Sequence, residues 1–247
     1  MKIKTDFIIS INIHEKVIFL LKQLDNIKNY VNNYYIILNC NQFMYNELKN
    51  IILPHNVIVN SEIIEKATYH GTLTKGIYSN MLYADEKFDF LYFIVLSSRN
   101  LFYNKLNIDF LNLRQPICNN INKFYENEYT KQLQYYTWHW PLFLKTELAK
   151  YYISKNLHLK DSPHEGLVFH INVIYNIINF LEKNIIIKND LFNFSHCVEE
   201  FSLQTIATNE INPNNNYHGF IYIGHGTDTQ LNIPCDPNLF VYKTIRE

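Results

Sequence analysis

The chain has 247 residues, of which 47% are hydrophobic and 18% charged, enough for the core of one large α/β domain or of two small ones. Its formal net charge is -1 and its pI is near 6.8, which argues against a protein that neutralises many phosphates, so we expect no nucleic-acid partner. No stretch reaches the roughly 18 apolar residues of a membrane span, and the four cysteines are widely spaced without a CxxC pair, which favours a reducing, cytoplasmic compartment.

Strands and amphipathic helices alternate in the first part of the chain. Residues 5–13 are predicted to form a strand, and apolar residues recur at helical spacing after it, at Val17, Leu20, Leu21, Leu24, Ile27 and Val31. Further strands are predicted at 34–39 and 56–60, and helices at 41–52 and 72–87. This alternation predicts right-handed crossovers and a mainly parallel sheet whose strands end at one common edge.

The most apolar stretch, FDFLYFIVL from Phe88 to Leu96, is predicted to be a strand buried on both faces. A strand with only one buried face would alternate apolar with polar residues. The stretch ends abruptly in the polar cluster SSRN. Because ligands of open α/β sheets bind beyond the carboxyl ends of the strands, we expect chemistry here; the alternative is an ordinary exit from strand to loop.

The second half is less regular. Residues 104–136 are polar and weakly periodic and receive no assignment, and a helix is predicted at 141–156. A strand within SPHEGLVFHI, a helix at 172–183 and a helical pattern over 197–210, with Glu199 and Glu200 in its first turn, follow. GFIYIGH and NLFVYKTIRE supply two terminal strands. No internal repeat and no linker is visible, so residues 1–247 are predicted to form one domain.

The order of these segments resembles the core-2/I-branching N-acetylglucosaminyltransferase and peptide O-xylosyltransferase family. The stretches that carry the likeness are FIISINIHEKVIFLLKQL, YYIILNCN, NVIVNSEIIEKATYHGTLTKGIYSNMLYA, FDFLYFIVLSSRNLF, EGLVFHINVIYNIINFLE, VEEFSLQTI and LFVYKTIRE. Two features depart from the family pattern: Val198 stands where a proline is usual, and SSRNLF lacks the acid often found in that turn.

The resemblance implies a single GT-A-like, Rossmann-like domain, with a nucleotide-sugar half at about 1–103 and an acceptor and catalytic half at about 104–247. It implies an inverting transfer of a sugar from a UDP-sugar to a glycan or other hydroxyl acceptor. It aligns Glu200 with the family's catalytic Glu, and Lys243 with the Lys that binds the donor diphosphate. The family's uridine and ribose contacts would fall at His14, Asn39 and Asn41.

An inverting transfer needs a general base for the acceptor hydroxyl and a positive charge for the departing diphosphate. Glu200 is the first candidate for the base, with Glu199 as its neighbour and Glu165 as a rival. Ordinary negative charge at a helix start explains Glu199 and Glu200 equally well from the sequence alone. The identity of the base therefore stays open between Glu200 and Glu165.

The chain contains no Asp-x-Asp motif, through which many sugar-nucleotide enzymes bind a metal. The resemblance implies a metal-independent variant in which Lys243, and secondarily Arg246, supplies the charge; solvated terminal cations are the alternative. Ser97, Ser98 and Arg99 are further candidate donor contacts. Arg99 could bind donor phosphate or an acidic acceptor, and a surface ion pair is the alternative. We expect no metal ligand and no cofactor beyond the UDP-sugar donor.

Trp138 and Trp140 flank His139 and form an aromatic cluster that could stack on the apolar face of an acceptor sugar, although tryptophans are also common in cores. A second hypothesis for the whole chain is a non-catalytic carbohydrate-binding or assembly protein on a decayed transferase fold. A third, another nucleotide-dependent α/β enzyme, is disfavoured because GxGxxG and GxxxxGK[ST] are absent.

Overall fold

The sheet and helices described below come from a computed structural model. It describes residues 1–14, 16–66, 70–106, 108–112, 119–120, 140–157, 159–161, 164–196, 198–210, 225–226 and 241–243. Trp138 and Arg246, two of the predicted site residues, lie outside these ranges. No helix within the described ranges is long and apolar enough to cross a membrane.

The strands in chain order are β1 (Ile3–Lys4), β2 (Phe7–Ile13), β3 (Tyr34–Cys40), β4 (Val57–Val59), β5 (Phe88–Asp89), β6 (Tyr92–Ser97), β7 (Asn100–Phe102), β8 (Asn119–Asn120), β9 (Lys160–Asp161), β10 (Leu167–His170), β11 (His225–Gly226) and β12 (Val241–Lys243). The helices are α1 (Val17–Tyr30), α2 (Gln42–Leu48), α3 (Thr72–Lys87), α4 (Ile108–Asn112), α5 (Trp140–Phe143), α6 (Glu147–Ser154), α7 (Ile171–Lys183), α8 (Ile185–Asn193) and α9 (Ser202–Asn209).

The central sheet has the strand order β10-β6-β2-β3-β4. Strands β6, β2, β3 and β4 are parallel, and β10 runs antiparallel to β6 at one side. The fold is therefore α/β with a mostly parallel, Rossmann-like sheet, as the alternation of strands and helices predicted. The four parallel strands end at one edge, which we call the carboxyl edge.

Apolar side chains cover both faces of this sheet. All seven residues of β2 are buried. Ile8 and Phe93 belong to a core cluster shared with α3, α7 and α9, whereas Ile9 and Ile94 belong to a second cluster shared with α1 and α2. The period-2 alternation of a strand sends successive side chains to opposite faces, so a central strand is mostly apolar, and its polar residues Ser10 and Asn12 are buried as well. The predicted burial of the stretch Phe88–Leu96 on both faces is confirmed for β6, whose residues belong alternately to the two clusters.

Three predicted elements differ from the structure. The strand predicted at Phe88–Leu96 is divided, because β5 pairs with β1 and the chain then bends through Leu91, whose N–H donates to Asp6 O at 3.1 Å. The helix predicted at 141–156 is interrupted, because Thr146 Oγ1 accepts a hydrogen bond from Ala149 N at 3.1 Å and begins a new helix, α6.

The third difference concerns the two acids predicted in a helical first turn. Glu199 and Glu200 lie in a turn before α9, in which Val198 O accepts hydrogen bonds from Phe201 N at 3.1 Å and Ser202 N at 2.8 Å. The helix begins only at Ser202 and has no acid in its first turn. These acids are thus not explained as the ordinary negative charge of a helix start.

Candidate functional site

Polar residues form a row across the carboxyl edge. Asn12 of β2 lies in register with Asn39 of β3 on one side and with Ser97 of β6 on the other. After β2 the chain crosses to β3 and β4, whereas β6 lies on the opposite side of β2. Ser97 and Asn12 therefore flank the point where the strand order reverses, which is where open α/β sheets bind ligands.

Lys66 meets this row from the loop after β4. Its Nζ donates hydrogen bonds to Asn39 Oδ1 and to Ile64 O, the latter at 3.0 Å. Burial lowers the pKa of Lys66 to about 8, against which nearby Glu62 and Glu65 act. A partly buried ammonium group thus lies beside the carboxyl edge.

Gly76 of α3 allows the helix to approach these polar groups closely. A Cβ atom at this position would stand 2.3 Å from Asn12 Oδ1 and 3.0 Å from both Asn39 Oδ1 and Lys66 Nζ. Asn12 is 8% exposed, and its Nδ2 donates to Leu73 O at 2.9 Å. A side chain at position 76 would displace Asn12 Oδ1 and crowd the other two atoms, so glycine lets α3 pack this closely.

A buried hydrogen-bond network extends this polar region between α3 and the sheet. Asn80 Nδ2 donates to Ser10 Oγ at 2.9 Å and to Ile37 O at 3.0 Å. Asn60 Nδ2 donates to Asn80 Oδ1 at 3.0 Å and to Ser79 Oγ at 2.9 Å. Polar groups in a helix–sheet interface must be satisfied to be tolerated, and these bonds fix α3 against the middle of β2 and β3.

The antiparallel strand β10 brings Glu165 to the same edge. Because β10 runs opposite to β6, its first residue pairs near the carboxyl end of β6: Leu167 is in register with Val95, and Gly166 N donates to Val95 O at 2.8 Å. Gly166 has a φ of 79°, a conformation that glycine adopts without strain. Glu165, just before this turn, is 3% exposed.

The carboxyl groups of Glu165 and Glu200 lie together with His164, although the two acids are far apart in the sequence. One ligand atom from each of the three residues lies within 4.8 Å of the other two. His164 Nδ1 is 3.4 Å from Glu165 Oε2. We call these three residues and Glu199 the carboxylate cluster.

Glu199 is, with Glu165, one of two deeply buried acids of the cluster. It is 4% exposed, and burial, with the charges of Glu200 and Glu165, raises its pKa to about 8. Gln204 Nε2 holds its backbone by donating to Glu199 O at 3.0 Å. Glu199 therefore binds a proton at neutral pH, whereas a base must be ionised, so it is a poor candidate for the base.

The three residues predicted to contact uridine and ribose, His14, Asn39 and Asn41, have different environments. His14 follows β2 and is exposed. Asn39 is engaged inside the protein, since its Nδ2 donates to Glu62 O at 2.9 Å and its Oδ1 accepts from Lys66. Asn41 caps α2, with Oδ1 accepting from Met44 N at 2.9 Å. Both asparagines therefore have a structural role.

The SSRN turn after β6 is held by its own last residue. Asn100 Oδ1 accepts hydrogen bonds from Ser97 N at 2.6 Å and Ser97 Oγ at 2.9 Å. Ser98 is buried and Arg99 is partly exposed. Asn100 also lies in register with Lys243 of β12, so the backbone of Lys243 adjoins this turn.

Some residues of the candidate site could not be predicted from the sequence. Nothing marks Lys66 or Asn12 in the sequence, because their proximity depends on the register of the sheet. His164 is adjacent to Glu165, and this adjacency was the one available signal. Trp140 begins α5, but the structure describes only its backbone.

No protein-family model matches this chain, and no curated protein matches it either.

Proposed function

We propose that this protein is an inverting, metal-independent glycosyltransferase with a GT-A-like fold, which transfers a sugar from a UDP-sugar to a glycan or other hydroxyl acceptor. The observation that carries the proposal is the convergence of Glu165 and Glu200 on the carboxyl edge of a mostly parallel sheet. A general base must reach the acceptor hydroxyl at the place where such sheets bind nucleotides, and these carboxylates satisfy that requirement.

Two further features support the proposal. The backbone of Lys243 adjoins the SSRN turn, a suitable position for a cation that neutralises a departing diphosphate. Glu200 is less buried than Glu199, which adjoins it in the same cluster, so its carboxylate is the more accessible of the two to an acceptor hydroxyl. Glu200 is accordingly proposed as the base and Lys243 as the diphosphate anchor, with Arg246 as a second cation.

Calorimetric titration of the full chain with UDP in the presence of EDTA tests the donor half of the proposal. We expect saturable binding with one UDP per chain, because side-chain cations replace the metal. The absence of binding, or binding that appears only with added manganese, would contradict the metal-independent mechanism.

A second candidate is a non-catalytic carbohydrate-binding or assembly protein on the same fold. It is favoured by the engagement of Asn39 and Asn41, two expected donor contacts, in hydrogen bonds within the protein. A panel of UDP-sugars distinguishes the candidates: hydrolysis or transfer that Glu200→Gln abolishes would exclude the non-catalytic protein.

A further inference from the structure

His164 and Glu165 have the spacing of two ligands on one metal ion. Their Nδ1 and Oε2 atoms are 3.4 Å apart, and two donors each about 2.1 Å from a tetrahedral ion lie roughly 3.4 Å from one another. A carboxylate oxygen of Glu200 completes a group within which all donor atoms are within 4.8 Å.

Glu199 gives an independent indication that a positive charge binds beside this group. Its Oε2 is buried and accepts no hydrogen bond within the described part of the chain. The charges of Glu165 and Glu200 both act on it, so its carboxyl group lies near the same cluster. A buried carboxyl oxygen without a partner is costly whether the group is protonated or ionised, and a cation in the cluster would satisfy it.

The donor types restrict the ion. One imidazole nitrogen with carboxylate oxygens suits borderline ions such as Zn²⁺, whereas Mg²⁺ is bound through oxygens and retains most of its water. Hydrogen bonds fix the backbone of both segments that carry the ligands. Gly166 N, next to Glu165, donates to Val95 O, and Gln204 Nε2 donates to Glu199 O, next to Glu200. The ligands are thus held on ordered segments.

We propose that His164, Glu165 and Glu200 bind one divalent transition-metal ion of the zinc type. Binding itself does not depend on the proposed transferase activity. Its consequence does: Glu200 bound to a cation cannot accept a proton, so the ion inhibits a transferase that needs no metal for its chemistry. EDTA should therefore leave turnover unchanged or raise it.

The test is calorimetric titration of the full chain, stripped of metal by a chelator, with ZnCl₂ in the absence of any nucleotide sugar. We expect one Zn²⁺ per chain, and a loss of affinity of about tenfold or more in His164→Asn and in Glu165→Gln. His55→Asn is the matched control, because His55 is exposed in the turn before β4, at the opposite edge of the sheet. It should bind Zn²⁺ like the wild type.

A titration without saturable Zn²⁺ binding would overturn the proposal, and so would affinities that are unchanged in both cluster variants. Circular dichroism checks that each variant folds. If Glu165→Gln, at the more buried position, does not fold, the Zn²⁺ affinity of His164→Asn alone tests the proposal. A visible absorption spectrum of tetrahedral Co²⁺ that is lost in His164→Asn would support the same ligands. Because the titration contains no UDP-sugar, it measures Zn²⁺ binding even if the protein proves not to be a transferase.

Discussion

Lys243 of β12 pairs with Asn100 of β7, in an antiparallel arrangement at the carboxyl edge of the central sheet. Asn100 also closes the turn that begins at Ser97, and Gln23 Nε2 donates to the carbonyl oxygens of both Ser97 and Asn100 at 2.8 Å. β12 therefore pairs beside the turn from Ser97 to Asn100, and Gln23 of α1 holds that turn in place.

Lys243→Ala should weaken UDP binding by at least about tenfold, because a charge-assisted hydrogen bond to phosphate is lost. Lys243→Arg should retain most of the affinity, since the charge is kept. Calorimetry in EDTA measures both variants, with Lys150→Ala on the exposed surface of α6 as the control. Equal affinities of the wild type and Lys243→Ala would exclude Lys243 as the anchor.

Glu200→Gln should lower turnover by about 100-fold or more while UDP affinity barely changes, because the general base is removed without altering the donor site. Glu165→Gln should mainly raise the KM for the acceptor. Steady-state kinetics and UDP calorimetry give the two quantities.

Glu86→Gln, an exposed change on α3, serves as the control for these kinetics. The opposite assignment of effects, with turnover lost in Glu165→Gln and acceptor KM raised in Glu200→Gln, would transfer the role of base to Glu165.

Gly76→Ala should destabilise the protein by about 1–3 kcal/mol, although alanine is the better helix former. The added methyl group would stand 2.3 Å from Asn12 Oδ1 and would force the polar groups at the carboxyl edge apart. Urea unfolding measures the loss. Glu86→Ala, on the exposed face of the same helix, should change stability by less than about 0.5 kcal/mol, and an equally small effect of Gly76→Ala would show that α3 does not pack this closely.

The stability of the wild type should rise with pH relative to that of Lys66→Met. Burial lowers the pKa of Lys66 from 10.5 to about 8, so between these values the unfolded chain binds more protons than the folded one, and deprotonation favours folding. The cost of the buried charge is present in full below pH 8 and is progressively lost above it.

Urea unfolding at pH 7.0 and at pH 9.5 checks this, with an expected gain on the order of 1–2 kcal/mol for the wild type over Lys66→Met. Comparing the two proteins at each pH removes the contribution of other titrating groups. Parallel changes in both proteins would show that the folded protein does not perturb Lys66.

Much of the fold could be predicted from local patterns. The helix at Thr72–Lys87 and the strand that continues to Ser97 follow from apolar periodicity, which depends on residues a few positions apart. The interruption at Thr146 was missed, because one capping hydrogen bond outweighed an otherwise helical pattern. The turn at Glu199 was not predicted either. Hydrogen bonds from Phe201 N and Ser202 N to Val198 O form this turn, and the helix begins only after it, at Ser202.

The sequence by itself determined the alternation of strands and helices, the buried central strand and the polar residues at its end. Only the tertiary structure decided that β10 runs antiparallel and carries Glu165 to Glu200, and that Lys66 meets Asn39. The physical reason is that periodicity is a local property, whereas the direction and register of a strand are set by backbone hydrogen bonds between segments far apart in the chain.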